Sequence, residues 1–366
     1  MKQKVLILGS ISFVLDNAKV GINWIAEFLA NQGYEVIYVS SASTPLDFFF
    51  KKKRERFKYA WLKGGKFNIS ANLTEIVFKT PWLLNRLTNR LTHRSAGILQ
   101  QKLLNEHYAI LISTVGALSL FVDKINAPLK VLRLQDDLNN FNLSKYVINN
   151  LQQLLRKQAF QKIWPVSNYL WQYAEQFKPK QNVLLSNGVN LTQYYNHFTQ
   201  LKVKKVIYVG AFSSWVDIKL IIESASLLPD WQFDLFGDNF KQHNELPNNV
   251  FYQGGVTNDS LAPLLSRYSV GLIPFVDCEH ILAVERPLKF YQYLASGLGI
   301  ASTNYGCLQT GMGKWAYYGN SAQQFANAII NAADHRHSKK EIYQFLNNYT
   351  WDFILNKMLL QLNNVA

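Results

Sequence analysis

Cysteine and long apolar runs are the scarcest features of this 366-residue chain. Its two cysteines, Cys278 and Cys307, are 29 positions apart and match no metal-ligand spacing, so they cannot form a disulfide framework. The longest uncharged stretch, residues 108–122, has 15 residues with polar side chains among them, fewer than the ~20 apolar residues of a membrane-spanning helix. We expect a protein of a reducing compartment with no membrane span.

The glycine-rich signatures of nucleotide enzymes are also missing. Gly9, Gly210 and Gly237 each follow an apolar strand, but none forms a GxGxxG or P-loop motif, which argues against a classical dinucleotide or ATP site. The seven histidines are scattered and form no HxxxH cluster. The sequence therefore predicts neither a cofactor nor a metal site.

Acidic residues are few, since 24 Asp and Glu stand against 38 Lys and Arg, for a formal charge of +14. The excess is local, because residues 51–102 contain thirteen Lys or Arg but only Glu55 and Glu75. A concentrated cationic field draws one face of a protein toward an anionic surface. The charge alone is consistent with either lipid headgroups or a nucleic acid.

Two patterns inside this basic stretch favour a membrane surface. A lysine run that begins at Lys51 precedes Phe57, Tyr59 and Trp61, aromatic residues typical of a headgroup boundary. Residues 83–94 then repeat leucine and arginine at intervals of four, which predicts a basic amphipathic helix. An ordinary surface helix, with its leucines in the core and its arginines in water, stays open as the alternative.

The order of apolar segments predicts an α/β protein. A strand at residues 5–9, a helix at 21–32 and a strand at 36–39 form a β-α-β opening, and further apolar strands continue the pattern to residue 167. A polar segment at residues 178–205 separates this series from a second one. We predict two doubly wound, Rossmann-like domains facing a cleft, with ligands at the carboxyl ends of the strands.

The most informative segment is residues 285–299, where a helix begins near Pro287 and ends at a Ser-Gly stop before another strand. Lys289 lies in the first turn, where the helix dipole disfavours a cation, so we interpret it as the partner of a bound diphosphate, with a solvated lysine as the alternative. Gln292 shares the same face and could form a hydrogen bond with a ribose or sugar hydroxyl, with an ordinary structural role left open. After an earlier strand, Gly210 and Ala211 either form a structural turn or let backbone N–H groups approach a phosphate.

The run Arg286-Pro287-Leu288-Lys289, followed by Gln292 and Tyr-Leu-Ala-x-Gly, resembles the nucleotide-sugar-binding helix of bacterial GT-B glycosyltransferases. It is most similar to the teichuronic-acid and exopolysaccharide enzymes related to the glucuronosyltransferase GumK. Segments 186–189, 209–211 and 270–275 fit the same order. The resemblance implies a GT-B fold with an N-terminal acceptor-binding, membrane-facing domain over residues 1–185, a C-terminal nucleotide-sugar-binding domain over 200–340, and a helix over 341–366 that packs back on the domains.

The resemblance also implies site residues. For the donor they are Gly210, Ala211, Phe212, Phe275, Arg286, Leu288, Lys289 and Gln292. Candidate acceptor contacts after the first strand are Asn17, Lys19, Gly21 and Trp24, for which ordinary loop and core roles stay open.

The two glutamates of common retaining GT-B enzymes would fall at Val284 and Gln292, so this signature fails, although Glu285 is one step away. An inverting transfer needs a general base that deprotonates the acceptor hydroxyl. Asp136 and Asp137 stand at the end of a predicted strand, and in the GumK-like pattern such a strand-end aspartate is the base. We assign Asp136, with Asp137 as the rival and helix capping as the alternative.

The sequence thus predicts an inverting, metal-independent hexosyl- or glucuronosyltransferase. It would move a sugar from a nucleotide-sugar donor, expected to be UDP-linked, to a lipid-linked saccharide in cell-surface polysaccharide synthesis. We expect it on the inner face of the plasma membrane, held by its basic stretch, without a cofactor and without a nucleic acid. The alternatives are a retaining GT-B glycosyltransferase and a basic nucleic-acid-binding protein.

Overall fold

The structure of the chain is a computed structural model that describes residues 2–16, 19–50, 53–80, 98–138, 143–241 and 246–363. The chain divides into two compact units, Met1–Leu185 and Ser186–Ala366. Each unit is built around its own mainly parallel sheet, as the strand pattern of the sequence predicts.

The N-terminal unit contains an eight-stranded sheet. Its strands are β1 (Lys4–Leu8), β2 (Glu35–Ser43), β3 (Lys66–Ser70), β4 (Leu73–Lys79), β5 (Ile110–Thr114), β6 (Leu129–Leu134), β7 (Lys162–Pro165) and β8 (Gln181–Asn182). Their order is β3-β4-β2-β1-β5-β6-β7-β8, and every neighbouring pair is parallel except the β3–β4 hairpin at the edge. The strand order reverses between β1 and β5, which is where ligands bind in open α/β sheets.

Five helices accompany this sheet in the described part of the unit. They are α1 (Gly21–Asn31), α2 (Arg54–Phe57), α3 (Ile98–Asn105), α4 (Lys145–Arg156) and α5 (Asn168–Glu175). The hairpin and β8 were not predicted, because the polar alternation of residues 66–70 and the brevity of β8 give little apolar signal.

The C-terminal unit contains a six-stranded, fully parallel sheet. Its strands are β9 (Lys205–Val209), β10 (Gln232–Phe236), β11 (Val250–Gly254), β12 (Val270–Ile273), β13 (Gly299–Ser302) and β14 (Tyr317–Tyr318). They lie in the order β11-β10-β9-β12-β13-β14, which is the 3-2-1-4-5-6 order of a doubly wound nucleotide-binding fold. The switch point lies between β9 and β12.

Nine helices are described in this unit. They are α6 (Leu191–Tyr195), α7 (Ile218–Leu227), α8 (Asn258–Leu265), α9 (Glu279–Leu282), α10 (Leu288–Ser296), α11 (Leu308–Met312), α12 (Ala322–Asp334), α13 (Lys339–Leu346) and α14 (Trp351–Asn363). The last helix, α14, buries Trp351, Ile354 and Leu355, and the first two would meet a side chain added at Gly188.

Serine residues set the beginning of four helices. Ser144, Ser167, Ser321 and Ser338 precede α4, α5, α12 and α13, and each hydroxyl accepts a hydrogen bond from a backbone N–H of the first turn. Such caps satisfy donors that a helix start leaves unpaired. By contrast, α10 follows Pro287, and no side chain caps its N-terminus.

The basic stretch folds into short elements that lead into the hairpin. Pro45–Phe49 forms a 3₁₀ turn, and α2 continues as a π-helical turn, Lys58–Leu62. The predicted amphipathic helix at residues 83–94 lies outside the described residues. Within the part of the chain that the structure describes, no helix is long and apolar enough to cross a membrane.

Candidate active site

Two glycines bring the backbones of the second sheet close together at its carboxyl edge. Gly210, after β9, has φ +147°, and Gly237, after β10, has φ +146°, conformations that favour glycine. A Cβ on Gly237 would lie 1.9 Å from the Gly210 carbonyl oxygen, and one on Gly210 would lie 2.8 Å from Lys289 Nζ. The edge therefore has no room for a side chain at Gly237, and a side chain at Gly210 would displace the Lys289 amino group.

The amino group of Lys289 lies at the switch point of this sheet. Its Nζ is 3.9 Å from the centre of the Tyr208 ring on β9 and 5.4 Å from that of Phe275, which follows β12. Lys289 makes no hydrogen bond or ion pair with any described residue. Burial lowers the pKa of the Lys289 amino group to about 7, because the loss of water around the amine disfavours its charged form.

Helix α10 holds Lys289 in this place through one tyrosine. The ring of Tyr293 packs against Gly271 of β12, where a Cβ would come within 2.3 Å of it, and its hydroxyl accepts a hydrogen bond of 3.0 Å from the Val209 N–H on β9. The helix ends at Gly297, whose left-handed φ of +85° closes its last turn. Tyr293 thus attaches α10 to both strands of the switch point, and Lys289 stands one turn before it.

The structure brings Gly210, Phe275 and Lys289 together but gives the other predicted donor residues different surroundings. Arg286 has its guanidinium 4.7 Å from the Tyr349 ring centre. Leu288 is half-buried at the start of α10, and the half-buried Gln292 lies beside the hydroxyl of Tyr194. Ala211 is exposed, and its carbonyl accepts a hydrogen bond from the Tyr208 hydroxyl.

Phe212 belongs to an aromatic cluster that the sequence patterns do not reveal. Its ring is buried and lies 5.0 Å from Tyr208, 4.9 Å from Phe240 and 6.1 Å from Tyr252. The Phe240 and Tyr252 rings stack at 4.6 Å, and both line a cavity of about 520 Å³ beside β11. Their separation in sequence hid them, since only the pairing of β10 with β11 makes them neighbours.

The carboxyl edge of the first sheet carries the two aspartates, and their surroundings differ. Tyr169 donates a 3.2 Å hydrogen bond to Asp137, whose side chain is buried. Asp136 is half-buried and makes no hydrogen bond or ion pair with any described residue. Burial raises the pKa of the Asp136 carboxyl to about 6. A carboxyl with a pKa near neutrality and no structural partner is what general-base catalysis requires.

The predicted acceptor residues lie after β1, on the same edge of the sheet. Lys19 has its amino group 3.6 Å from the Trp24 ring centre and forms an ion pair with Glu27 of α1. Gly21 is buried at the first position of α1, and Asn17 lies outside the described residues. One strand, β5, separates β1 from β6, so roughly 10 Å lies between the carboxyl ends of these two strands.

In the described ranges, no three His, Cys, Asp or Glu side chains lie close enough to hold a metal ion. At the second sheet, Lys289 and the uncapped N-terminus of α10 can both counter the charge of an anion.

Comparison with known proteins assigns the fold. Sucrose-phosphate synthase from Thermosynechococcus elongatus matches at a TM-score of 0.69 and 15% identity, over 100% of this chain and 99% of its own. HepE of Anabaena, in complex with UDP-glucose, matches at 0.67 and 12% identity, over 99% and 100%. A glycosyltransferase from Rickettsia africae matches at 0.64 and 15% identity over both whole chains. The chain has the GT-B fold, as the sequence predicts.

Sequence comparison is sparser. No protein-family profile matches the chain. A relative in Bacillus subtilis, TuaH, provisionally named a teichuronic acid biosynthesis glycosyltransferase, is 28% identical over 104 residues. That match covers 26% of this chain and 26% of TuaH, so it spans about a quarter of the relative's length.

Proposed function

We propose that the protein is a glycosyltransferase whose C-terminal unit binds a nucleotide-sugar donor. The observation that carries the proposal is the Lys289 amino group, which lies at the switch point of the second sheet without a partner among the described residues. A partly buried amine without a counter-ion is costly to the fold unless a ligand supplies the opposite charge. A diphosphate at the N-terminus of α10 would supply it.

The chemistry we propose is an inverting transfer. Asp136 takes the proton from the acceptor hydroxyl, whose oxygen attacks the anomeric carbon of the donor. The bond between that carbon and the diphosphate oxygen breaks, and the nucleoside diphosphate leaves with its new charge stabilised by Lys289 and the N-terminus of α10. Because these groups carry the charge, we propose that the reaction needs no metal and no cofactor.

The finer assignments draw on the relatives. The complex of HepE with UDP-glucose supports a UDP-linked donor. We propose a hexosyl or glucuronosyl group as the unit transferred. The match to TuaH, provisionally named for teichuronic acid biosynthesis, supports a role in cell-surface polysaccharide synthesis. We further propose a lipid-linked saccharide acceptor at the inner face of the plasma membrane. The basic segment of residues 51–102 would then bind the anionic membrane surface.

A thermal-shift panel of UDP-glucose, UDP-glucuronic acid and GDP-mannose on the full-length protein tests the donor site. A ligand that binds the folded state at about a hundred times its dissociation constant adds roughly 2.7 kcal/mol, a shift of several degrees. Lys289→Met should remove the shift. The matched control is Lys219→Met on α7, whose side chain is 84% exposed.

Two results would contradict the proposal. One is that none of these nucleotides raises the melting temperature. The other is that Lys289→Met retains the full shift. NMR of the product anomer separates inversion from retention, and salt-sensitive oligonucleotide binding without nucleotide-sugar binding would favour a nucleic-acid-binding protein.

A further inference from the structure

A short turn in the N-terminal unit exposes four large apolar side chains in five positions. The turn comprises residues 45–50, and its exposed members are Leu46, Phe48, Phe49 and Phe50. Phe49 is 75% exposed, the largest value among the exposed large apolar residues of the described chain. Single exposed apolar residues are ordinary, but a contiguous set marks an interaction site. We call residues 45–50 the phenylalanine turn.

Contacts at both ends of the phenylalanine turn hold its side chains in the exposed position. The Phe48 ring meets the Phe57 ring of α2 edge to face at 5.4 Å, and the Arg54 Nε donates a 3.2 Å hydrogen bond to the Phe48 carbonyl. At the start of the turn, the buried Asp47 carboxylate accepts a 3.0 Å hydrogen bond from the Thr44 N–H. The phenylalanine turn is therefore held outward by bonds at both ends, and it does not bury its rings in the unit.

Cations surround the exposed rings. Lys53 Nζ lies 5.8 Å from the Phe50 ring centre, and Arg54 Cζ lies 5.5 Å from that of Phe48. Residues 45–63 contain seven Lys or Arg and two acids, Asp47 and Glu55. Each acid forms an ion pair with a neighbouring lysine. The Asp47 carboxylate lies 3.9 Å from Lys53 Nζ, and the Glu55 carboxylate lies 2.7 Å from Lys58 Nζ. The surface is thus apolar at its tip and positive at its base.

We propose that the phenylalanine turn inserts into an anionic lipid bilayer, with its rings below the headgroups and the cations of residues 53–63 on the lipid phosphates. This arrangement matches the layers of a bilayer, which offers negative charge first and hydrocarbon beneath it. This inference rests on the proposed function in one respect, the location of a lipid-linked acceptor at the membrane. Binding of the phenylalanine turn to lipid can be tested without the acceptor.

A nucleic acid fits this surface less well. Bases need flat, open ring faces for stacking. Here Phe48 and Phe49 stand edge to face at 84°, and Leu46 offers no ring at all. Hydrocarbon accepts aliphatic and aromatic groups in any orientation, so all four exposed side chains can enter it.

The structure also changes which aromatic residues do the inserting. The sequence pattern suggests Phe57, Tyr59 and Trp61, but all three are half-buried. Phe57 stacks on Trp61 at 6.2 Å, and Tyr59 packs on Phe67 of β3 at 5.3 Å. Of the three, Phe57 contacts the phenylalanine turn, through the ring of Phe48.

Flotation of the full-length protein with phosphatidylcholine vesicles, with or without phosphatidylglycerol, tests the apolar tip. The double variant Phe49→Ser, Phe50→Ser should bind phosphatidylglycerol vesicles at least about tenfold more weakly, because two rings no longer enter hydrocarbon. The matched control is Phe353→Ser on α14, a phenylalanine 51% exposed in the C-terminal unit. Equal binding by the double variant and the wild type would overturn the proposal.

The charge layer has its own test. Lys53→Gln and Lys63→Gln should each weaken binding to phosphatidylglycerol vesicles about fivefold and leave any binding to neutral vesicles unchanged. Lys219→Gln is the control, since Lys219 lies in the C-terminal unit, whose net charge is zero, and its side chain is also exposed. An equal loss from the control would show a general charge effect and contradict a localised surface.

Insertion is measured directly with an environment-sensitive dye. In a background where the half-buried Cys278 and Cys307 are serine, Phe49→Cys carries the dye, and Phe353→Cys serves as the control. Anionic vesicles should shift the emission at position 49 to the blue and leave position 353 unchanged. Insertion would be refuted if the emission at position 49 did not shift. It would also be refuted if an oligonucleotide bound the labelled turn and displaced the protein from the vesicles.

Nucleotide-dependent stabilisation of the same variants separates the two proposals. If vesicle binding fails while the nucleotide shift persists, the membrane inference alone is wrong. If the nucleotide shift is absent while vesicle binding persists, the transferase proposal fails and the lipid surface stands.

Discussion

The two units share a strand order and differ completely in charge. Around the central strands, both sheets follow the 3-2-1-4-5-6 order, and both place their candidate groups at the carboxyl edge. Residues 1–185 carry 25 Lys or Arg against 11 Asp or Glu, whereas residues 186–366 carry 13 of each. The whole net charge of +14 therefore belongs to the N-terminal unit. The shared strand order places the candidate site of each unit at the carboxyl edge of its sheet. The difference in net charge makes an anionic partner surface suited to the N-terminal unit alone.

The same comparison holds for single residues. Asp136 and Lys289 are both half-buried, and neither makes a hydrogen bond or ion pair with a described residue. Their shifts run in opposite directions, because burial raises the pKa of Asp136 to about 6 and lowers that of Lys289 to about 7. Each shift favours the neutral form, so both groups are held at the expense of folding stability. A general base and an anion-binding amine whose pKa values lie near neutral pH suit the proposed transfer.

The largest expected effect concerns the N-terminal base. Asp136→Asn should lower kcat roughly 10³-fold, because the acceptor proton loses its carrier, and leave donor affinity unchanged. Wild-type kcat/KM should fall about tenfold per pH unit below pH 6, as the Asp136 carboxylate is protonated. Initial-rate kinetics with a nucleotide-release assay measure both.

Asp137→Asn is the matched control, since Asp137 accepts a hydrogen bond from Tyr169. A greater loss of kcat from Asp137→Asn than from Asp136→Asn would transfer the role of base to Asp137.

Next in size is the loss of the cation from the C-terminal unit. Lys289→Met should weaken nucleoside diphosphate binding about 10- to 100-fold, the value of a charge-assisted contact. Because the pKa of Lys289 is about 7, wild-type affinity should decline above pH 7, where the amine is neutral. Isothermal titration at several pH values measures both effects. Persistence of the pH dependence in the methionine variant would show that another group binds the diphosphate.

The unliganded variants should also differ in stability, with opposite pH windows. For Asp136, folding favours the protonated form, so the wild type loses stability as pH rises from 3.8 to about 6, and Asp136→Asn should gain up to about 3 kcal/mol above that window. For Lys289 the wild type is penalised below about pH 7, and the penalty fades as pH approaches 10.5. Denaturant unfolding at several pH values tests this. A Lys289→Met gain that grows at alkaline pH would contradict it.

The smallest expected effect concerns the attachment of α10. Tyr293→Phe leaves the Val209 N–H without its acceptor, which should cost about 1–3 kcal/mol of stability and weaken donor binding only a few-fold. Tyr343→Phe is the control, because its hydroxyl lies a marginal 3.5 Å from the Ala295 carbonyl. If both variants behave alike in denaturant unfolding, Tyr293 does not fix the helix.

Much of the architecture could be predicted because it depends on local patterns. Apolar strands such as Val206–Val209 end in glycine, and the helix around Lys289 carries its start and stop signals in sequence. The hairpin of β3 and β4 could not be predicted, because its stability comes from pairing with β2, a contact distant in sequence. Local sequence patterns thus predicted the central strands and helices, whereas the edge hairpin depends on pairing between distant segments.

The site shows the same division. The helix of Lys289 was visible as a motif, but the difference between Asp136 and Asp137 appears only when Tyr169 is seen to occupy one of them. The phenylalanine turn was also hidden, since three consecutive phenylalanines normally predict a buried core. Only the structure shows that Phe48 packs on Phe57 and leaves its neighbours outside.

The close approach of Gly210 and Gly237 limits how this protein can be diversified. Since a methyl group on Gly237 would overlap the carbonyl oxygen of Gly210, a randomised library at this crossing should return glycine almost exclusively. A change of donor preference would then have to come from surrounding positions such as Phe240 and Tyr252, which line the neighbouring cavity. The backbone at the crossing of Gly210 and Gly237 should therefore stay unchanged in any active variant, while the side chains around it can vary.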